Sequence, residues 1–348
     1  MGRNTFFYSI FRSIFISIFR SRILRQALVG VVLIIAFESP AGAWGKQGHA
    51  GICHVAASLL AAEPGTAFLK DRAFDLGYYC NVPDLVWKRP AHYQVEWYNH
   101  FMDMEIFERE IKDFKTANPF SQSRAEFDAA FPQVPDSAGR SFWRIAELMK
   151  RADKITADLK KNELTREQRH SLQADWLVTV GALGHYVGDL AQPLHVTENY
   201  DGQLSEQKGL HVWFEDEVVN ELFLTSDRRL ENDVMVNAKG KWKQLASEWK
   251  KKPLLELLTL IASDSNKQLP LLLKIDKKTG RNDAKKAAKE FRTIIIDRMA
   301  LGSVALAALW SRQLGWEFDN VKFYTFVSEP DFIAPEKAEP TASPTPKK

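Results

Sequence analysis

Between residues 44 and 328 the apolar side chains recur over long stretches with the 3.6-residue period of a helix, and the alternating pattern of strands is scarce. A chain patterned in this way is directed to an all-α fold. Helices are predicted over 48–60, 140–161, 166–190, 211–222, 231–250, 253–273 and 284–312. Their starts carry matching signals. Thr165 stands before Arg166 with Gln168 three residues on, Asp136-Ser137 precede the helix over 140–161, and Pro253 supplies a first-turn proline. No segment repeats at a fixed period, which argues against a solenoid. The expectation is one multi-helix domain spanning 44–328.

With 45% hydrophobic and 26% charged residues, the 348-residue chain has a globular composition, unlike a wholly disordered or multi-span membrane protein. Its formal charge of +3 is local: Arg3, Arg12, Arg20, Arg22 and Arg25 against Glu38 supply it, and the remainder is near neutral. A nucleic-acid-binding basic field over the whole surface is thereby disfavoured. The arginines precede an uncharged apolar run over 27–37, then Ser39-Pro40 and Ala41-Gly42-Ala43. This is the layout of an export signal cleaved before Trp44, so residues 1–43 are expected to be a signal peptide and the mature protein secreted or periplasmic. The run is about half of the ~20 residues a membrane-spanning helix needs. A Phe- and Ile-rich stretch before it could touch a membrane surface, and membrane contact is expected through this leader alone. Residues 329–348 hold Pro330, Pro335, Pro340, Pro344 and Pro346 among polar residues and read as a disordered tail. Two cysteines exclude a disulfide-built scaffold and a four-Cys zinc site; Cys53 and Cys80 either pair in an oxidising compartment or stay as buried thiols.

The positions of the eight histidines are the most informative feature of the sequence. In Gly184-His185-Tyr186-Val187-Gly188-Asp189, an imidazole and a carboxylate four residues apart share one helix face and can reach one cation. Pro193 then turns the chain, which lets His195 approach the same region from another direction. His211 and Glu215 repeat the four-residue spacing. An exposed helical ion pair there would contribute only ~0.3–0.5 kcal/mol and would not account for the rest. Upstream, Asp84 taken alone reads as the N-cap of a short helix, and His100 as a buried, hydrogen-bonded ring. Cleavage before Trp44 would free an amine five residues from His49, and an amine with its adjacent carbonyl can chelate a metal. His54 reads as packing, and His92 and His170 as surface residues.

Together, Trp44-x-x-x-x-His49, Asp84, His100-Phe101-x-Asp103, His185-x-x-Gly188-Asp189-x-x-Gln192-Pro193-Leu194-His195 and His211-x-x-x-Glu215 resemble the S1/P1 nuclease family, in the group that also holds zinc-dependent phospholipase C. The resemblance implies the all-α, single-domain fold of that group. It also implies three zinc ions: one on Asp84, His100, His185 and Asp189; one on His195, His211 and Glu215; and one on the amine and carbonyl of Trp44, His49 and the bridging Asp189. Asp84 would orient or deprotonate the attacking water, and Lys88 would offset developing negative charge. Phe101 would stack on a nucleobase and Asp103 accept its amino hydrogen bonds, although core packing is an equal reading of Phe101. The sequence departs at Glu215, where the nucleases usually carry Asp and the phospholipases Glu; the short spacing from Trp44 to His49 is nuclease-like.

The implied activity is endonucleolytic hydrolysis of single-stranded DNA and RNA to 5′-phosphorylated products, with 3′-nucleotidase activity as a further option. Single strands expose bases for stacking, which explains strand preference without a basic surface. Single-stranded nucleic acid or nucleotides are the expected substrate, no obligate protein partner is inferred, and a monomer is expected. The alternatives are a zinc-dependent phospholipase C and a membrane-anchored helical protein that binds zinc without catalysis.

Overall fold

The computed structural model describes residues 44–114, 123–225, 229–319 and 330–336; the leader and the end of the tail lie outside them. Every regular element is helical, and the described residues contain no strand, only an isolated bridge between Met102 and Gly139. The helices at and around the domain's centre are α1 (Gly45–Leu60), α2 (Ala73–Tyr79), α3 (Ser141–Leu159), α4 (Arg166–Ala191), α5 (Arg229–Trp249), α6 (Leu254–Asn266), α7 (Leu269–Thr279) and α8 (Ala284–Ser311).

Two of them form the centre. Helix α4 touches α1, α2, α3, α6 and α8, while α8 also carries α5 and α7. Their sequences explain the placement. The last turns of α4, through Gly181, Ala182, Gly184, Gly188 and Ala191, are buried on all sides, as is α8 from Arg298 to Trp310. By contrast α3 is one-sided: Phe142, Ile145, Leu148, Ala152, Ile155 and Leu159 face inward at helical spacing and Lys150 and Lys154 face out. Helix α8 is long and apolar enough to cross a membrane, but 83% of its most apolar window is buried inside the domain, which makes it a core helix.

Small residues set the close approaches. A Cβ on Gly302 of α8 would lie 3.2 Å from Ala191 and 3.7 Å from the Gly188 backbone of α4. Gly184 faces the Cys53–Cys80 disulfide, which ties α1 to the segment after α2. Two buried indoles then satisfy α4 carbonyls: Trp310 Nε1 donates to Val180 O at 3.0 Å and Trp44 Nε1 to Gly188 O at 2.8 Å. The second meets one of the four carbonyls that a helix end leaves without an internal partner.

Several expectations shift. Thr165 and Gln168 do form the capping box that starts α4. Asp136 and Ser137 instead form a separate 3-10 turn, and α3 begins after Arg140 with no side-chain cap. The helix expected over 253–273 is two helices, because Pro270 in the first turn of α7 lacks the N–H and the clearance needed to continue α6. Pro253 is the N-cap of α6 rather than a first-turn residue. Within the stretch read as a disordered tail, residues 330–336 pack on the domain: Phe332 stacks on His92 at 4.2 Å and Arg144 Nη2 donates to Ile333 O at 2.5 Å. His92 is thus part-buried beneath Phe332. His170 is also part-buried, 3.5 Å from Asp319, and His54 lies 3.1 Å from Glu231.

The glycine at 184 is a test of this packing. A Cβ there would meet Cys53 Sγ at 2.5 Å and Leu306 at 3.0 Å. Gly184→Ala should destabilise the domain by about 1–3 kcal/mol through overpacking, read as a lower melting temperature in calorimetry. An unchanged melting temperature would contradict this helix contact.

Candidate metal centre

Helix α4 presents His185 and Asp189 one turn apart at its buried end. Gln192 is extended, as a residue before proline prefers, and the chain turns through Pro193–His195 so that His195 points back. Its fixing is reciprocal: His195 Nδ1 donates to His100 O at 2.7 Å, and Met102 N donates to His195 O at 2.9 Å. Helix α1 supplies His49, stacked on His185 with ring centroids 3.9 Å apart. Asp84 and Glu215 both sit on π-helical turns, Pro83–Trp87 and Trp213–Val219, a geometry often found at functional sites. Asp84 is therefore no N-cap; its carboxylate faces Lys88 and the histidines.

Two groups of donor atoms converge, and His49 with Asp84 and His185 makes a third that shares His185 with the first. In the first, His100 Nδ1 lies 2.9 Å from His185 Nε2 and 3.2 Å from Asp189 Oδ2, while Asp84 Oδ1 is 3.6 Å and 3.7 Å from the two rings. In the second, His195 Nε2 and His211 Nε2 are 3.0 Å apart, and Glu215 Oε1 lies 3.2 Å and 3.0 Å from them. Asp189 reaches a third direction, with Oδ1 3.4 Å from His49 Nε2. Among the predicted residues, Trp44 is buried beside this cluster with its indole on Gly188 O.

The donor chemistry fits a metal. His195 and His211 each give Nδ1 to a backbone carbonyl, of His100 and of Tyr200, so the proton sits on Nδ1 in their neutral forms. In those neutral forms their Nε2 lone pairs and the Glu215 carboxylate point at one another, an arrangement that a cation resolves; a proton shared with Glu215 is the alternative, since the Glu215 charge outweighs burial and raises His211. His49 Nδ1 and Nε2, Asp189 Oδ1 and Glu215 Oε2 are buried without hydrogen bonds. Nitrogen and carboxylate donors are the types zinc takes. Burial holds His49, His100 and His185 well below the ordinary histidine value, which keeps them neutral and ready to ligate. Burial, with the charge of Asp84, pushes Asp189 well above the usual carboxylate range. Burial would also raise Glu215, but His211 and the hydrogen bonds from His195 and His211 outweigh it and hold Glu215 below its usual range.

The cluster opens to solvent at Asp84 and His211, whose side chains are 12% and 13% exposed. Lys88 Nζ lies 3.0 Å from Asp84 Oδ1 and 4.7 Å over the Trp97 ring. Phe101 is half-buried and stands outside the continuous apolar core, edge-on to Trp97 and Tyr98 at 6.4 Å. Asp103 is buried with Oδ1 unpaired.

A model of the S1/P1 nuclease family matches residues 44–314. The chain belongs to the S1/P1 nuclease family. Endonuclease 1 of Arabidopsis thaliana is similar, at 25% identity over 320 residues that cover 85% of this chain and 95% of that protein. As a member of this family, the chain is a nuclease, a hydrolase acting on phosphodiester bonds. The family's zinc dependence agrees with the donor set described above. Glu215 reaches both histidines, and Gln192 Nε2 donates to its Oε1 at 2.6 Å.

Two contributors escape a reading of the sequence. Asp201 accepts from Gly209 N and His211 N, at 2.8 Å and 3.2 Å, and so sets the start of the His211 turn. Glu96, fully buried, lies 3.4 Å from His100 Nε2; its four-residue spacing from His100 is the signal that could have found it.

Burial, followed by the charges of Glu105 and Glu198, raises Asp103 to about 8. The folded state keeps a proton that the unfolded state loses near 3.8, so this group costs increasing stability as pH rises from about 4 to about 8. Asp103→Asn cannot ionise. Its melting-temperature advantage over the parent should grow between about pH 5 and pH 8 and level off above, and a constant difference would contradict the burial of this carboxyl.

Proposed function

We propose that the mature nuclease begins at Trp44, is exported, holds three zinc ions and cleaves single-stranded DNA and RNA internally to 5′-phosphorylated products, with 3′-nucleotidase activity. The observation that carries this reading is Asp189, whose two oxygens turn to different neighbours, Oδ2 to His100 and His185 and Oδ1 to His49. One zinc would be held by Asp84, His100, His185 and Asp189, and another by His195, His211 and Glu215. The third would take Trp44, His49 and Asp189. Trp44 is fully buried at the end of α4, where its indole donates to Gly188 O.

Bound zinc supplies Lewis acidity and lowers the pKa of water that it holds. The protein groups do the rest. Asp84, at the open edge, would orient the attacking water. Lys88 keeps Asp84 ionised: burial opposes the charge of each, but their mutual attraction holds Asp84 below and Lys88 above its ordinary value. The Phe101 ring offers a surface for a nucleobase, and the unpaired Oδ1 of Asp103 accepts a base amino hydrogen. Stacking of this kind contributes about 1–3 kcal/mol per base and is open only to unpaired strands.

The reading is tested by giving the purified protein single-stranded DNA, a duplex of the same sequence and phosphatidylcholine, each with and without a chelator. Cleavage of the single strand to 5′-phosphate ends, abolished by the chelator, is expected. Activity on the lipid alone would overturn the assignment in favour of the phospholipase reading, which Glu215 favours. Single-strand products ending in 3′-phosphate would overturn the proposed bond cleavage.

A further inference from the structure

The imidazoles around the centre are not held alike. His185, His195 and His211 each give their outward nitrogen to a backbone carbonyl, of Cys80, His100 and Tyr200, at 2.8, 2.7 and 3.1 Å. Such a bond fixes the proton on the outward nitrogen and leaves the inward one bare. His100 is reversed. Its Nδ1 faces the cluster, and its Nε2 has no hydrogen bond and faces a carboxylate, Glu96 Oε1, at 3.4 Å.

Glu96 has no part in the reaction described above, yet it is fully buried, which is costly for a carboxylate unless it is compensated. Its surroundings brace it. Tyr186 donates its hydroxyl to Oε1, Asn99 Nδ2 donates to Oε2 at 2.9 Å, and Arg144 Nη2 lies 3.8 Å from Oε2. The brace continues into residues 330–336, beyond the family match at 44–314. Arg144 also donates to Ile333 O, and Phe332 packs on His92 and edge-on to Trp87 at 5.9 Å. Trp87 Nε1 donates to Pro330 O at 3.2 Å, and Trp87 ends the turn that carries Asp84. One short segment thus touches the supports of two predicted ligands, Asp84 and His100.

We propose that Glu96 is a positioning residue, whose carboxylate 3.4 Å from His100 Nε2 keeps the proton on that nitrogen so that Nδ1 is the one offered to metal, and that residues 330–336 are an intrachain strap holding this support in place. The proposal rests on the zinc reading of the centre. A carboxylate behind a ligating histidine orients the ring and raises its basicity, and losing such a partner typically weakens metal binding by about 10–100-fold. The strap acts through Arg144, which sets the position and charge balance of Glu96, and through Trp87.

The test is zinc affinity, measured on the full mature chain by competition with a fluorescent chelator, beside the melting temperature of the metal-free protein. Glu96→Gln should weaken one zinc by about 10–100-fold, whatever the loss of its pairing with Arg144 takes from the metal-free melting temperature. Phe332→Ala should weaken the same ion by a smaller factor. A purely structural Glu96 predicts a lower metal-free melting temperature with unchanged affinity, and that result overturns the proposal. Unchanged affinity in Phe332→Ala overturns the strap. Should Glu96→Gln fail to fold, Glu96→Asp, which retracts the charge by one methylene, must weaken the same ion, and wild-type affinity there is equally fatal. A parent protein that takes up no zinc overturns the zinc reading itself, whereas a zinc-binding parent with an indifferent Glu96→Gln overturns this proposal alone.

Discussion

Asp189 is a carboxylate without access to water, held where α4 meets α8 and α1, with each oxygen turned to different histidines. That position depends on the absence of side chains around it. Gly188 beside it leaves room for the His49 ring, 3.1 Å from where its Cβ would be, and Gly302 lets α8 approach Ala191. Trp44 then closes the helix end by donating to Gly188 O. Helix packing and ligand geometry are one constraint here, since a larger residue at these contacts would displace the rings that face Asp189.

The same burial has an electrostatic consequence. Neutral imidazoles and a carboxylate packed with lone pairs facing one another are unfavourable neighbours until a cation lies between them. Metal binding is therefore coupled to the stability of this part of the fold. The outward hydrogen bonds from His185, His195 and His211 to main-chain carbonyls lower the cost of ordering the rings, because the rigid backbone already selects the tautomer. Among the described residues the cluster is most open near Asp84 and His211, beside Lys88 and the Trp97 ring.

Much of this was legible in local spacing. His185 with Asp189 and His211 with Glu215 each lie four residues apart, the capping box at Thr165 marks the start of α4, and Pro193 marks its turn. What escaped depends on contacts between distant segments. The π-helical turns under Asp84 and Glu215 leave no periodic trace. Glu96 lies in the five-residue helix Tyr93–Trp97, where periodicity is too brief to mark a buried face. The apolar run through 253–273 concealed a break because it continues on both sides of Pro270. The proline-rich composition of 329–348 concealed Phe332 and Ile333, two residues whose partners, His92 and Arg144, lie far back in the chain.

The central claim is that Asp189 serves two metal sites at once, and the most direct measurement is the zinc content of Asp189→Asn beside the parent after exhaustive dialysis. With the parent retaining three ions per chain, the account predicts that this one substitution removes two of them together and leaves the ion on His195, His211 and Glu215. Loss of a single ion, or of none, would contradict it.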